Sequence, residues 1–171
     1  MLQQENCYCE FFDTSKIIQN YFENNKSKMT WVAVRNFMGW QIPIDVILKE
    51  PLFFKINQKF KILRGGVLRL EKNKIYNWHK DEKRGLAINM LLSGRGCHTI
   101  FGEESEKFRI QYDILELKYQ PKKFYLFNTQ IEHCVINFNE QERYLFSLEF
   151  EQEMHNLSYE TLLHWKKQFS V

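Results

Sequence analysis

The chain has 171 residues, enough for one domain whose core needs no disulfide or metal staple. Its formal net charge of +3 arises from Lys, Arg, Asp and Glu scattered among one another, so charge gives no footprint for nucleic acid. Aromatic residues make up 16%, including fifteen Phe and eight Tyr, which favours ring-filled strands over disorder.

No apolar leader opens the sequence and no run approaches a membrane span, so the chain reads as soluble and cytoplasmic. Oligomeric state is not legible. Residues 13–24 carry a helix start signal, Asp13-Thr14-Ser15, followed by Ile17, Ile18, Tyr21 and Phe22 at helical spacing. Residues 31–51, with Trp40, Pro43 and Pro51, read as irregular or mixed, covering one barrel end or the substrate opening. From Gly65 the texture changes to short strands: 67–70, 75–79, 86–92, 97–101, 108–119, 124–127, 131–136 and 143–150. Turn signals such as Ser93-Gly94-Arg95-Gly96 separate them. Many short strands with few intervening helices predict a mainly β barrel or sandwich. A last helix is expected over 158–168, capped by Ser158, with Leu162 and Trp165 on one face. The four cysteines read as reduced thiols: Cys7 and Cys9 are too close to pair easily, and Cys97 and Cys134 lie in apolar strands. A zinc site at Cys7-x-Cys9 lacks a second pair.

The chemistry-bearing pattern is Trp78-His79-Lys80-Asp81, then Glu132-His133-Cys134, then Arg143 ten residues after His133. His79 and Asp81 are two apart, so on an extended segment both point to one side and can close on one ion. With His133 they give two imidazoles and a carboxylate, the donor set of non-haem Fe(II) oxygenases, whose open positions admit a bidentate 2-oxo acid and then O2. Neutral imidazoles and an ionised Asp81 leave a ferrous site one net positive charge, suited to an anionic oxo acid. Arg143 supplies a guanidinium fork for the second carboxylate of a dicarboxylic oxo acid. A loop near 138–142 predicts a hairpin between strands 131–137 and 143–150. In it Arg143 would stand opposite Asn137, about 13 Å from His133 at roughly 3.3 Å per residue.

On these residues the stretch 77–150 resembles the double-stranded β-helix core of Fe(II)/2-oxoglutarate-dependent oxygenases, a cupin-like jelly-roll barrel. Phe124-Tyr125-Leu126-Phe127-Asn128-Thr129, followed by Glu132-His133 and Asn137, is similar to the aspartyl/asparaginyl β-hydroxylase-like group. The animal members of that group lack the carboxylate ligand that this chain keeps as Asp81. The resemblance implies a core at about 65–150 with flanking N- and C-terminal helices. It implies iron ligands at His79, Asp81 and His133, a 2-oxoglutarate anchor at Arg143, and Asn89 as a polar residue on the strand after the first ligands. The implied reaction is hydroxylation of an amino-acid side chain, free or in a peptide, with release of succinate and CO2.

Each residue also has a plainer reading. His79 is a surface or core histidine, Asp81 a turn residue, and Arg143 an ion-pair partner of Glu132 or Glu149. Asn128 and Asn137 read as turn or hydrogen-bonding residues, and Trp78 as a barrel-packing ring. His98, His155 and His164 read as structural or exposed. Lys72, Lys74, Lys80, Lys83 and Arg84 gather around the metal loop and could draw in an anionic substrate, or simply form a solvated loop. Two other functions stay open: a cupin-like metal protein without 2-oxoglutarate, which leaves Arg143 unexplained, and a sensor module that has lost turnover.

Overall fold

A computed structural model describes residues 2–12, 16–34, 37–94, 96–104, 112–152 and 156–169. The helix start signal Asp13-Thr14-Ser15, Arg95 of the predicted turn, the segment 108–111 of a predicted strand, and His155 lie outside them.

In chain order the elements are α1 (Gln4–Cys7), β1 (Tyr8–Phe12), α2 (Lys16–Asn25) with a 3-10 turn (Lys26–Lys28), β2 (Val32–Val34), β3 (Phe37–Ile42), α3 (Ile44–Ile47) and α4 (Pro51–Asn57). There follow β4 (Ile62–Leu70), β5 (Lys74–His79), β6 (Leu86–Ser93), β7 (His98–Glu104), β8 (Tyr112–Glu116), β9 (Phe124–Asn128), β10 (His133–Asn137), β11 (Arg143–Phe150) and α5 (Tyr159–Phe169). A seven-stranded sheet in the order β1-β9-β6-β11-β4-β3-β2 faces a four-stranded sheet in the order β5-β10-β7-β8. This is the double-stranded β-helix.

The period of two along β11 explains both sides of the larger sheet. Tyr144, Phe146, Leu148 and Phe150 turn outward and join a core with Ile18 and Phe22 of α2, Phe53 and Ile56 of α4, and Leu162 and Trp165 of α5. Arg143, Leu145, Ser147 and Glu149 turn inward and line a cavity between the sheets. A strand covered on both faces reads as a nearly continuous apolar run, which is why β6 carries Leu86-Ala87-Ile88 and Met90. A second cluster of Ala87, Phe101, Leu117, Tyr125 and Phe127 fills the space between the sheets on one side of the cavity.

The structure corrects the predicted hairpin. β10 pairs with β5 and β7 in the smaller sheet, whereas β11 pairs with β4 and β6 in the larger one. The chain crosses from sheet to sheet at 138–142, as a jelly roll requires, instead of turning back on its neighbour. Asn137, fully buried, fixes this crossing: its amide nitrogen donates to the carbonyls of Glu71 (3.0 Å) and Gln141 (2.8 Å), and its oxygen accepts from the Asn139 N–H (3.1 Å).

Residues 31–51 are also more regular than predicted. They hold β2 and β3, which extend the larger sheet, and Pro51 is the first residue of α4, a position where a missing N–H costs nothing. The sheets therefore begin well before residue 65. At the C-terminal helix the Ser158 hydroxyl accepts from the Thr161 N–H at 3.3 Å, the capping role expected of it. Trp78 does not fill the barrel: it lies over Gly102 and stacks on Tyr112 at 5.9 Å. A Cβ at position 102 would come within 2.7 Å of that indole. All four cysteines are free; burial pushes the thiols of Cys7 and Cys134 up to about 11 and raises those of Cys9 and Cys97.

Candidate metal centre

His79 ends β5 and His133 begins β10, and the two are directly opposed across the strand pair. The register slips between His133 and Val135, whose partners on β5 are His79 and Tyr76, so β5 carries a bulge at Asn77 and Trp78. A bulge re-aims the side chains around it, and here Tyr76 and His79 both line the cavity. Asp81 follows on the loop, its N–H donating to the Thr129 carbonyl at 3.0 Å. The ligand atoms of His79, Asp81 and His133 all lie within 4.8 Å of one another.

The imidazoles are oriented by their own backbones. His79 Nδ1 donates to the Asn77 carbonyl at 2.7 Å and His133 Nδ1 to the Ile131 carbonyl at 2.9 Å, which leaves Nε2 of each ring with its lone pair. His79 Nε2 faces Asp81 Oδ1 at 3.9 Å, and the rings approach to 4.2 Å between centroids. Burial pushes the His133 pKa down to about 4, so this imidazole is neutral near pH 7, the form a metal needs. The outer oxygen of the carboxylate is also held, since Arg84 Nε donates to Asp81 Oδ2 at 2.6 Å.

The cavity these residues line has a volume of about 520 Å3, within the usual range for small-ligand sites. Elsewhere on its wall stand Asn89 of β6, Thr99 of β7, Tyr119 and Arg143. Arg143 is 1% exposed and donates from Nη2 to the Thr99 hydroxyl at 3.1 Å, while Nη1 has no hydrogen-bond partner among the described residues. The Tyr119 hydroxyl and Asn89 Oδ1 are likewise buried and make no hydrogen bond of ordinary geometry among the described residues, although Asn89 and Arg143 both lie close enough to act on that hydroxyl. The Tyr119 ring lies 5.8 Å from the Arg143 guanidinium carbon. Burial pushes the Tyr119 hydroxyl up to about 12 and works against the charge on Arg143. A buried guanidinium without a carboxylate partner among the described residues, beside a buried hydroxyl, is suited to receive a carboxylate. A carboxylate would satisfy both donors.

Neither predicted ion pair of Arg143 exists: Glu149 instead pairs with Arg64 at 2.7 Å, and Arg143 has no carboxylate partner among the described residues. Gly94 supports its position from below. With φ of +110° Gly94 occupies backbone space other residues rarely adopt, and a Cβ there would meet the Arg143 Cα at 2.8 Å. The proposed ring of entrance cations divides. Lys72 sits at the other end of β5, beside Glu140 at 3.8 Å, and Lys74 is opposite Asn137, while Arg84 is bound to Asp81. Lys83 lines the cavity and Lys80 is exposed. His98 pairs with Glu116 at 2.7 Å and His164 contacts Gln168 at 3.1 Å, both apart from the triad. Sequence reasoning missed Tyr119, Thr99 and the Asp81 contact of Arg84. Tyr119 lies beyond the end of β8 at Glu116, yet Leu115, Leu117 and Tyr119 alternate with Glu116 and Lys118, a period of two that could have marked its side chain as inward.

No protein-family model matches the sequence, and no curated protein matches it. Solved structures do match in shape. A prolyl hydroxylase of Trichoplax adhaerens, in complex with a peptide fragment of the hypoxia inducible factor oxygen degradation domain, superposes with a TM-score of 0.60 at 14% identity, over 85% of this chain and 83% of that one. A Pseudomonas putida prolyl-4-hydroxylase gives 0.58 at 13%, over 84% and 90%. HygX of Streptomyces hygroscopicus, solved with nickel, 2-oxoglutarate and hygromycin B, gives 0.58 at 11%, over 85% and 83%. At these identities the likeness establishes the fold alone, one shared with these oxygenases. The narrower similarity to the aspartyl/asparaginyl β-hydroxylase-like group rests on the sequence motif alone.

Proposed function

We propose that this protein is an Fe(II)- and 2-oxoglutarate-dependent oxygenase. Its substrate would be an amino-acid side chain, free or in a peptide. The observation that carries this reading is the pairing, in one cavity, of a two-imidazole, one-carboxylate donor set with a buried arginine whose free edge lacks an acceptor. A metal protein without a dicarboxylate co-substrate has no use for Arg143, Tyr119 and Thr99 there.

His79 and His133, through Nε2, and Asp81 hold the iron. Arg143 and the Tyr119 hydroxyl bind the distal carboxylate of 2-oxoglutarate, Thr99 fixes the guanidinium, and Asn89 lines the co-substrate's path. Iron, when bound, supplies the redox chemistry that couples O2-dependent conversion of 2-oxoglutarate to succinate and CO2 with hydroxylation of a C–H bond. The chain itself positions the reactants, and burial keeps His133 unprotonated. Two of the similar structures belong to prolyl hydroxylases, one of them holding a peptide, which supports peptides as the first substrates to test.

The test is turnover. Purified protein with Fe(II), 2-oxoglutarate, ascorbate and O2 should form succinate slowly alone and faster with a suitable peptide or amino acid. Asp81→Ala should suppress both rates. Iron and 2-oxoglutarate binding without succinate from a broad substrate panel would reduce the protein to a binding module.

A further inference from the structure

We propose that Arg84 is a positioning residue that fixes Asp81 to one-oxygen coordination and restores the site's second positive charge. This inference rests on the metal-binding reading given above. Read along the sequence, Arg84 belongs to a charged loop at the cavity entrance. In the fold its guanidinium turns back onto the ligand: Nε donates to Asp81 Oδ2 at 2.6 Å, and Nη1 reaches the Ser147 hydroxyl at 3.4 Å.

The backbone of Arg84 is fixed as firmly as its side chain. Its carbonyl accepts from the Thr129 hydroxyl at 2.5 Å and from the Gln130 amide at 2.9 Å, and the same amide donates to the Asp81 carbonyl at 2.8 Å. Asn128 fastens that turn from below, donating to the Asn6 carbonyl at 2.9 Å and accepting from the Gln130 N–H at 3.0 Å. The loop that carries Asp81 is thus tied to the turn that leads into His133. The ligand from one strand and the ligand from another share a single frame.

Two consequences follow for the chemistry. With Oδ2 held by Arg84, Oδ1, the oxygen that faces His79 Nε2 at 3.9 Å, is the one placed to coordinate. A carboxylate binding through both oxygens would take one of the positions that a bidentate oxo acid and O2 require. The second consequence is electrostatic. Asp81 cancels one of iron's two charges and Arg84 cancels Asp81, so the centre presents two net positive charges to a dianionic co-substrate instead of one. Such outer contacts to a metal ligand typically govern metal affinity by ten- to a hundred-fold.

The test compares wild type, Arg84→Met and Arg84→Lys by anaerobic titration with Fe(II), then with 2-oxoglutarate, following the visible metal-to-ligand absorption. Cobalt(II), whose visible spectrum reports coordination number, is a second probe. Arg84→Met removes a cation beside the site as well as a hydrogen bond to Asp81, two losses that act on Fe(II) in opposite senses, so iron affinity should shift by no more than about ten-fold. The variant should bind 2-oxoglutarate more weakly, with a displaced absorption band and an altered cobalt spectrum. Arg84→Lys should recover part of the affinity, since it keeps the charge without the planar fork. Ser147→Ala, which removes only the outer contact, should stay within about three-fold of wild type and guards against a Met variant that fails to fold. A lower apo melting temperature with unmoved spectra and affinities would reduce Arg84 to a structural residue and overturn the proposal. Wild type that binds neither metal would instead overturn the reading of the whole site.

Discussion

The metal ligands and the arginine anchor share one cavity, yet they are finished to different degrees. At the ligand triad the supporting hydrogen bonds are made: both imidazole Nδ1–H groups and the outer oxygen of Asp81 have partners. At the anchor, Arg143 Nη1, the Tyr119 hydroxyl and Asn89 Oδ1 have no partner of ordinary geometry among the described residues. A metal ion needs lone pairs converging on a point, and the protein can aim these in advance by bonding the far side of each ligand. A carboxylate brings its own acceptors, so the groups that receive it must be left unpaired until it comes. The first region is preorganised and satisfied within the chain, whereas the second holds its donors ready for a ligand.

Substitution at the triad should give the largest effect. His79→Ala or His133→Ala should abolish stoichiometric Fe(II) binding while the circular dichroism of the fold persists. Anaerobic calorimetry decides this, and full affinity in both variants would remove the site. Acidification probes the same region. The folded-state pKa of His133, about 4, lies below the ordinary 6.5, so the unfolded chain binds a proton there that the native one refuses. That contribution to apo stability is intact above pH 6.5 and declines as pH falls towards 4, by up to about 1.4 kcal/mol per pH unit. Denaturant titrations across this window should show the slope, and His133→Gln should flatten it.

The anchor should answer in the opposite sense. Arg143→Leu should weaken 2-oxoglutarate by about ten- to a hundred-fold with iron binding nearly intact, the usual loss for a charge-assisted contact of about 1.5–3 kcal/mol. Because it also removes a buried cation with an unpartnered edge, the apo melting temperature should hold or rise. A marked fall would mean that Arg143 is a structural residue. 2-Oxoglutarate at a hundred times its Kd, with iron present, should add about 2.7 kcal/mol of stability, seen as a melting shift of roughly 5–10 °C. Tyr119→Phe is the mildest change, expected to weaken 2-oxoglutarate by about five-fold, roughly the net worth of one hydrogen bond. Equal affinity there would leave the guanidinium as the whole anchor.

Much of this site was legible in the chain because the relevant rules are local. The two-residue spacing of His79 and Asp81, the period of two from Arg143 to Glu149 and the Ser93-Gly94 turn depend only on backbone geometry, and each reads the same in any fold. Which sheet a strand joins does not. His133 and Arg143 are ten residues apart and face one cavity from different sheets, a relation that the crossing at 138–142 creates and that a hairpin would have destroyed. Arg84 looks like a solvated charge until the turn at 128–130 bends it onto Asp81, and the alternation of Leu115, Leu117 and Tyr119 marks a shared face without saying what that face meets. β3 was hidden because a short strand declares itself through its partner, which is β4, more than twenty residues on, and β2 pairs in turn with β3. Spacing along the chain determined which side chains could share a face; only long-range strand pairing, driven by burial of both faces of the larger sheet, decided which faces would meet.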